Sequence, residues 1–378
     1  MSKRIEFLDA AKGIGILFVV LGHNPIKTDY PIVYQVVYSF HMPFFFLLSG
    51  MFFKTDYGWL ELARRRFNSL LKPFIAYMLI VYSGAIFFTK IDLPTIFLRI
   101  AKALYAGPST LEWIPLWFLP HLFLVNLLAF ILIKFVYDRL PLLWMRLLFL
   151  AAMLWVGVAT IRIFLSVKFS VLGHDFEFYG LPWSADLLLV TTAFFILGYE
   201  IRRTFTPLIS PHCARASAAG TGEPQNGGNE GGRFPYLGWV LIIAIALFAG
   251  LHIVFQSTID FYIRSYGPVV VSSLEAVSGS LLILYLAKWL EKGPTWLFGA
   301  LKYLGTASIV VLIFHYVPQE FLYQKLIAFN MNTLLASMLA FCAGVVFPLL
   351  LFAWVIYPNR LLSSWFGIGQ PQEQERTN

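Results

Sequence analysis

Charge and cysteine are what this 378-residue chain has least of: 13% of its residues are Asp, Glu, Lys or Arg, and there are two cysteines. Cys213 sits in a polar stretch and Cys342 in an apolar one, which excludes a disulfide framework and a cysteine pair spaced for zinc. Redox compartment is therefore not encoded. So little charge beside 59% hydrophobic and 17% aromatic residues excludes an ordinary soluble globular chain. The bilayer is the expected solvent. Net charge is +8, but the lysines and arginines lie between apolar runs rather than along one face, so they read as topology signals and exclude a nucleic-acid partner. No small-residue cleavage site follows the first apolar stretch, so a retained first span is expected rather than a removed signal peptide. The tail GQPQEQERTN carries no lipidation signal.

Apolar stretches are what it has most of. Runs that suit helices of roughly 20 residues fall near 9–25, 34–53, 73–89, 114–133, 147–165, 183–201, 237–256, 268–287, 303–320 and 332–357. The expected fold class is all-α, a polytopic transmembrane bundle of about ten spans. With the amino terminus in the cytoplasm, most of the 28 lysines and arginines fall inside, as the positive-inside rule requires. Both termini are then cytoplasmic, and the loops around Asp29 and His174 are outside. One membrane domain covers 1–378: six spans in 1–201, a cytoplasmic linker at 203–235, four spans in 236–358 and a polar tail at 359–378. The linker contains SAAGTGEPQNGGNEGG, too rich in glycine and polar residues to hold a packed surface. No internal repeat is evident, which counts against a transporter built from duplicated halves.

Ionisable side chains inside apolar helices are costly and mark functional candidates. In LDAAKGIGILFVVLGHN, Asp9, Lys12 and His23 interrupt the first span. Lys12 and His23 are separated by about three helical turns, roughly 16 Å of rise, and project to a similar side at different depths. An interfacial Asp9–Lys12 pair with a water-facing His23 is the simpler alternative. In YSFHMPFFFLLSG, His41 is placed at the outer end of the second span, level with His23, with Pro43 in the tolerant first turn. Two imidazoles near one level can take a hydroxyl proton and return it to a leaving group. His121, His252 and His315 also fall in outer halves, without a metal-ligand spacing.

Arg64, Arg65 and Arg66 precede LLKPF, which contains Lys72. Four cations at an inner mouth suit a polyphosphate, because guanidinium groups hold phosphate oxygens in bidentate fashion. Plain topology control explains the same run. Asp186 is expected to orient an imidazole, and Glu275 to bind a polar ligand or partner helix. Trp117, Phe118 and Trp183 are candidates to stack on a sugar ring or to form an aromatic belt.

LDAAKGIGILFVVLGHN, SFHMPFFFLLSG, the arginine run before LLKPF, LWFLPHLF and YLGTASIVVLIFHY occur in that order. The set resembles the membrane-bound acyltransferase 3 family, especially its fucose 4-O-acetylase-like branch. That resemblance implies a multi-pass protein of the bacterial inner membrane that moves an acyl group from cytoplasmic acyl-CoA, most often acetyl-CoA, to a glycan or lipid-linked sugar, with no metal. It places His23 at the family's catalytic histidine, Lys12 where the family carries arginine, Arg64 to Arg66 at its basic motif and His315 at its late histidine. The expected roles are His23 as general base, His41 assisting and Lys12 stabilising charge, with Arg64, Arg65, Arg66 and Lys72 on the cofactor phosphates. A transporter or flippase for a lipid-linked glycan, and a structural subunit of a polysaccharide-assembly complex, remain as alternatives.

Overall fold

The structure is a computed structural model; it describes residues 5–88, 92–107, 110–111, 113–171, 174–209 and 234–368. Most of these are helical. In chain order the helices are α1 (Glu6–Gly22), α2 (Ile26–Asp29), α3 (Pro31–Met51), α4 (Trp59–Arg66), α5 (Lys72–Phe88), α6 (Leu93–Tyr105), α7 (Phe118–Phe135), α8 (Leu143–Ile163), α9 (Leu188–Ile209) and α10 (Phe234–Phe255). They continue as α11 (Val269–Leu290), α12 (Thr295–Thr306), α13 (Ser308–Phe314), α14 (Tyr316–Ala328), α15 (Thr333–Leu351) and α16 (Arg360–Trp365). Two small antiparallel hairpins, Val167–Val171 with His174–Phe178 and Ile259–Asp260 with Ser265–Tyr266, join spans.

Among the described residues seven helices are long and apolar enough to cross a membrane, or eight if the bent pair α12–α13 is one span. The expected first and third spans correspond to α1 and α5, each of 17 residues. Asn24 precedes Pro25, a position disfavoured for helix, and α1 stops at Gly22. Pro31 starts α3 earlier than expected, so Pro43 lies inside the helix rather than in its first turn. α9 runs on to Ile209 and α10 begins at Phe234, so helix occupies the start of the segment expected as linker; 210–233, with Cys213, lie outside the described residues. The expected polar tail also begins too early, because α16 is ordered and Phe366 beyond it is 1% exposed.

Beside its buried apolar core, the protein exposes large apolar side chains far more widely than a water-soluble bundle does. α10 has 11% of its apolar window buried and shows Trp239, Ile242, Ile243 and Ile253 to the outside, whereas the Pro182–Thr204 stretch is 67% buried. Lipid tails suit the first kind of surface and protein packing the second.

Small residues set the tightest helix crossings. A Cβ on Gly13 would lie 2.0 Å from the Leu301 carbonyl oxygen, and one on Gly305 would lie 2.0 Å from that of Asp9. α1 and α12 therefore touch backbone to backbone, as membrane helices with paired small residues do. Immediately after Gly305 the chain bends by 64° between α12 and α13. Thr306 Oγ1 donates to the Lys302 carbonyl at 3.0 Å, a back-bond that bends helices. A second irregularity precedes Pro73, which has no N–H to offer the preceding turn; there the helix widens into a π turn at Phe67–Leu71.

Candidate functional site

The bend and the π turn face one cavity of about 500 Å³. One end is lined by Asp9, Lys12, Arg66, Ser69 and Gly305, the middle by Ile16, Phe45, Leu48 and Ile309, and the other end by Val19, His23, Met42 and Leu312. α1 runs its length, so Lys12 and His23 mark its two levels. Irregular backbone within membrane helices is tolerated where it lines such a space.

At the histidine end, α1, α3 and the α13–α14 junction bring three imidazoles together. The His23 and His315 ring centres are 5.3 Å apart, and His23 also lies 6.1 Å from the Tyr316 ring. His41 Nε2 faces Gly22, at 3.7 Å from where a Cβ would be. His41 Nδ1 donates to the Val37 carbonyl at 2.8 Å, and His315 Nδ1 to those of Val311 and Leu312 at 2.9 and 3.1 Å. A carbonyl can only accept, so both rings carry their proton on Nδ1 and present a bare Nε2. His315 Nε2 is buried without a hydrogen-bond partner. Those are lone pairs able to accept a hydroxyl proton.

The position of His23 is held from its neighbour. Asn24, fully buried, donates to Gln319 Oε1 at 3.1 Å and to the Ser337 carbonyl at 3.0 Å, while its Oδ1 accepts the Ile26 N–H at 2.9 Å. Gln319 Nε2 returns a bond to the Val20 carbonyl. This amide clamp ties the end of α1 to α14 and α15. It was missed in the sequence because Asn24 reads there as a turn residue before proline.

Beyond the histidines, Tyr34 donates to Asp260 at 3.0 Å, and Tyr38 to the Gly22 carbonyl at 3.3 Å. Burial pushes the Asp260 carboxyl up, against the Tyr34 hydroxyl and the Ile263 and Tyr262 N–H groups that favour its charged form. Burial also lowers the Lys27 ammonium, with Asp260 and Glu320 opposing.

The cations at the other end are not equivalent. Arg66 alone of Arg64, Arg65, Arg66 and Lys72 lines the cavity; its Nε is buried without a hydrogen-bond partner and burial lowers its pKa. Arg65 is exposed, paired with Glu61 at 2.8 Å and stacked over Tyr57. Lys72 donates to Ser364 Oγ at 3.1 Å and lies over Trp365. Arg64 is exposed.

Two expected carboxylate roles change hands. Asp186 does not orient an imidazole: it holds Arg264 through two bonds of 2.9 and 3.0 Å and caps the Leu181 N–H. His121 bonds the Trp183 carbonyl and Thr191 instead. The carboxylate that holds an imidazole is Glu275, on His252, away from the cavity lining. Trp117 and Phe118 line the cavity, whereas the Trp183 indole donates to the Leu104 carbonyl outside it. Among the described residues no three His, Cys, Asp or Glu side chains are grouped to hold a metal ion.

The apolar helices and the cavity between them describe a multi-pass membrane protein. The chain belongs to the acyltransferase 3 family: the family's acyltransferase domain matches residues 5–357. It is an acyltransferase enzyme. The transporter and structural-subunit readings give way to that assignment. No curated protein and no solved structure matches it.

Proposed function

We propose that the protein transfers an acyl group, acetyl in the first instance, from acyl-CoA to a hydroxyl of a cell-envelope glycan or lipid-linked sugar. The observation that carries this reading is the single cavity that joins Arg66 and Lys12 at one end to His23 at the other. In this reading the Arg66 end is cytoplasmic and accepts the CoA phosphates by charge-assisted bonds. The acyl arm lies along the apolar middle, and the sugar approaches from the histidine end. The resemblance to the fucose 4-O-acetylase-like branch supports a sugar hydroxyl as acceptor.

The hydroxyl gives its proton to His23 as its oxygen attacks the thioester carbonyl carbon. The carbon–sulfur bond then breaks, and the proton passes to the departing thiolate, leaving an ester and free CoA. His41 orients or assists through Nε2, and Lys12 stabilises negative charge on the thioester or on the cofactor.

Proteoliposomes supplied with acetyl-CoA and envelope glycans from a strain lacking the protein test the reading. Release of free CoA together with a gain of acetyl mass on the glycan is expected. Movement of glycan across the bilayer without thioester loss would overturn it.

A further inference from the structure

The matched family domain stops at residue 357, yet the cavity wall does not. Phe366, Gly367 and Ile368 line it at the same end as Arg66 and Ser69. They follow α16, which Asn359 starts by accepting the Leu361 and Leu362 N–H groups. The segment is fastened at three points. Phe366 is packed against Phe314, the Trp365 ring sits beneath Lys72, and Ser364 accepts from that same lysine. The turn closes with the Ile368 N–H on the Ser363 carbonyl at 2.8 Å and Gly367 in the left-handed region at φ 67°. A Cβ on Gly367 would lie 3.1 Å from both the Asn68 carbonyl oxygen and Ser69 Cα. The glycine thus lets this segment lie against the π turn, next to the buried Arg66 Nε.

We infer that residues 360–368 form a wall of the donor site and set its affinity for the phosphate-bearing part of a CoA thioester; this rests on the donor reading above. Arg66 supplies charge, the π turn offers Ser69, and the Gly367–Ile368 segment closes the remaining side. Because Gly367 lies against Asn68 and Ser69, directly after Arg66, the wall is expected to act on binding rather than on the transfer step. It is a specificity element added outside the matched domain.

The test titrates the purified full-length protein with CoA as probe and follows thermal unfolding in parallel. Gly367→Val forces a branched side chain into the left-handed region against the π turn; Ile368→Trp adds bulk to the lining without that strain. Each is expected to weaken CoA binding by roughly tenfold, the scale of one or two lost polar contacts. Phe329→Ala, at an exposed position away from the cavity lining, should leave the affinity unchanged. If Gly367→Val fails to fold, Ile368→Trp decides alone. Parent affinity in the folded variants overturns the wall. A parent protein that binds no CoA overturns the donor reading, and the wall with it.

Discussion

The two ends of the cavity are built by opposite rules. At the histidine end the groups around His23 are held by buried partners: His41 and His315 by carbonyls of their own helices, Asn24 by Gln319 and the Ser337 carbonyl. At the arginine end Arg66 reaches the lining with a buried Nε that has no hydrogen-bond partner, while Arg65 and Lys72 beside it are held by side chains alone, on Glu61 and on Ser364 and Trp365. Fixed tautomers and short buried bonds suit proton transfer, which depends on geometry to a fraction of an ångström. A buried guanidinium nitrogen left without a partner suits a charged ligand. On the proposed function, chemistry belongs to one end and binding to the other.

The largest expected effect breaks that division at its histidine end. His23→Ala should lower transfer by about 10²- to 10⁴-fold, the usual contribution of a positioned base. CoA affinity should stay at the parent level, because His23 lies three turns from Lys12. Measuring turnover and CoA binding on the same preparation checks both halves. Full turnover would move the proton-accepting role to His41 or His315.

Next in size is a contrast within the arginine run. Arg66→Gln should weaken CoA binding by roughly 10- to 100-fold, since a hydrogen bond to a charged group contributes about 1.5–3 kcal/mol. Arg65→Gln should change it by less than about threefold, as an exposed pair with Glu61 contributes little. Equal losses in the two variants would mean that the phosphates bind outside the cavity, on the exposed face of α4.

Smaller again is the clamp. Asn24→Ala removes three hydrogen bonds and strands Gln319 Oε1, which should cost about 1–3 kcal/mol of stability. Turnover should fall with CoA affinity intact, because His23 loses its adjacent anchor. A variant with normal thermal unfolding and normal turnover would show that His23 needs no such support.

How much of this was legible in the chain depended on how local the signal was. Lys12 and His23 share one helix, so their spacing alone placed them on one side at two depths, and the structure puts both on one cavity. The spans were legible for the same reason, as continuous apolar runs. His315 follows His23 by most of the chain, and only the α12–α13 bend, made by small residues and a threonine back-bond, brings them together. Partnerships of this kind are invisible to periodicity: Asp186 with Arg264, Glu275 with His252, Asn24 with Gln319. Arg64, Arg65 and Arg66 looked alike in sequence because their difference lies in which way a helix end faces. The wall at 360–368 was hidden because Phe366 and Ile368 are single apolar residues beside a polar tail.

The smallest expected effect sharpens the comparison at the level where binding gives way to chemistry. Lys12 lines the cavity beside Asp9, one residue before the Gly13 contact that holds α1 against α12. Because those backbones already touch, a larger side chain at position 12 cannot find room by parting the helices and must extend into the cavity, which is open at that level. Lys12→Arg keeps the charge and adds a planar fork of donors that can meet a phosphate or a thioester oxygen. Turnover and CoA affinity should therefore change by only a few-fold. Lys12→Met keeps the length without the charge, and its larger loss should appear in CoA affinity if the ammonium meets the cofactor phosphates, or in turnover if it meets the thioester. If Lys12→Arg is as damaging as Lys12→Met, charge alone is not what this position supplies, and the site is shaped around an ammonium.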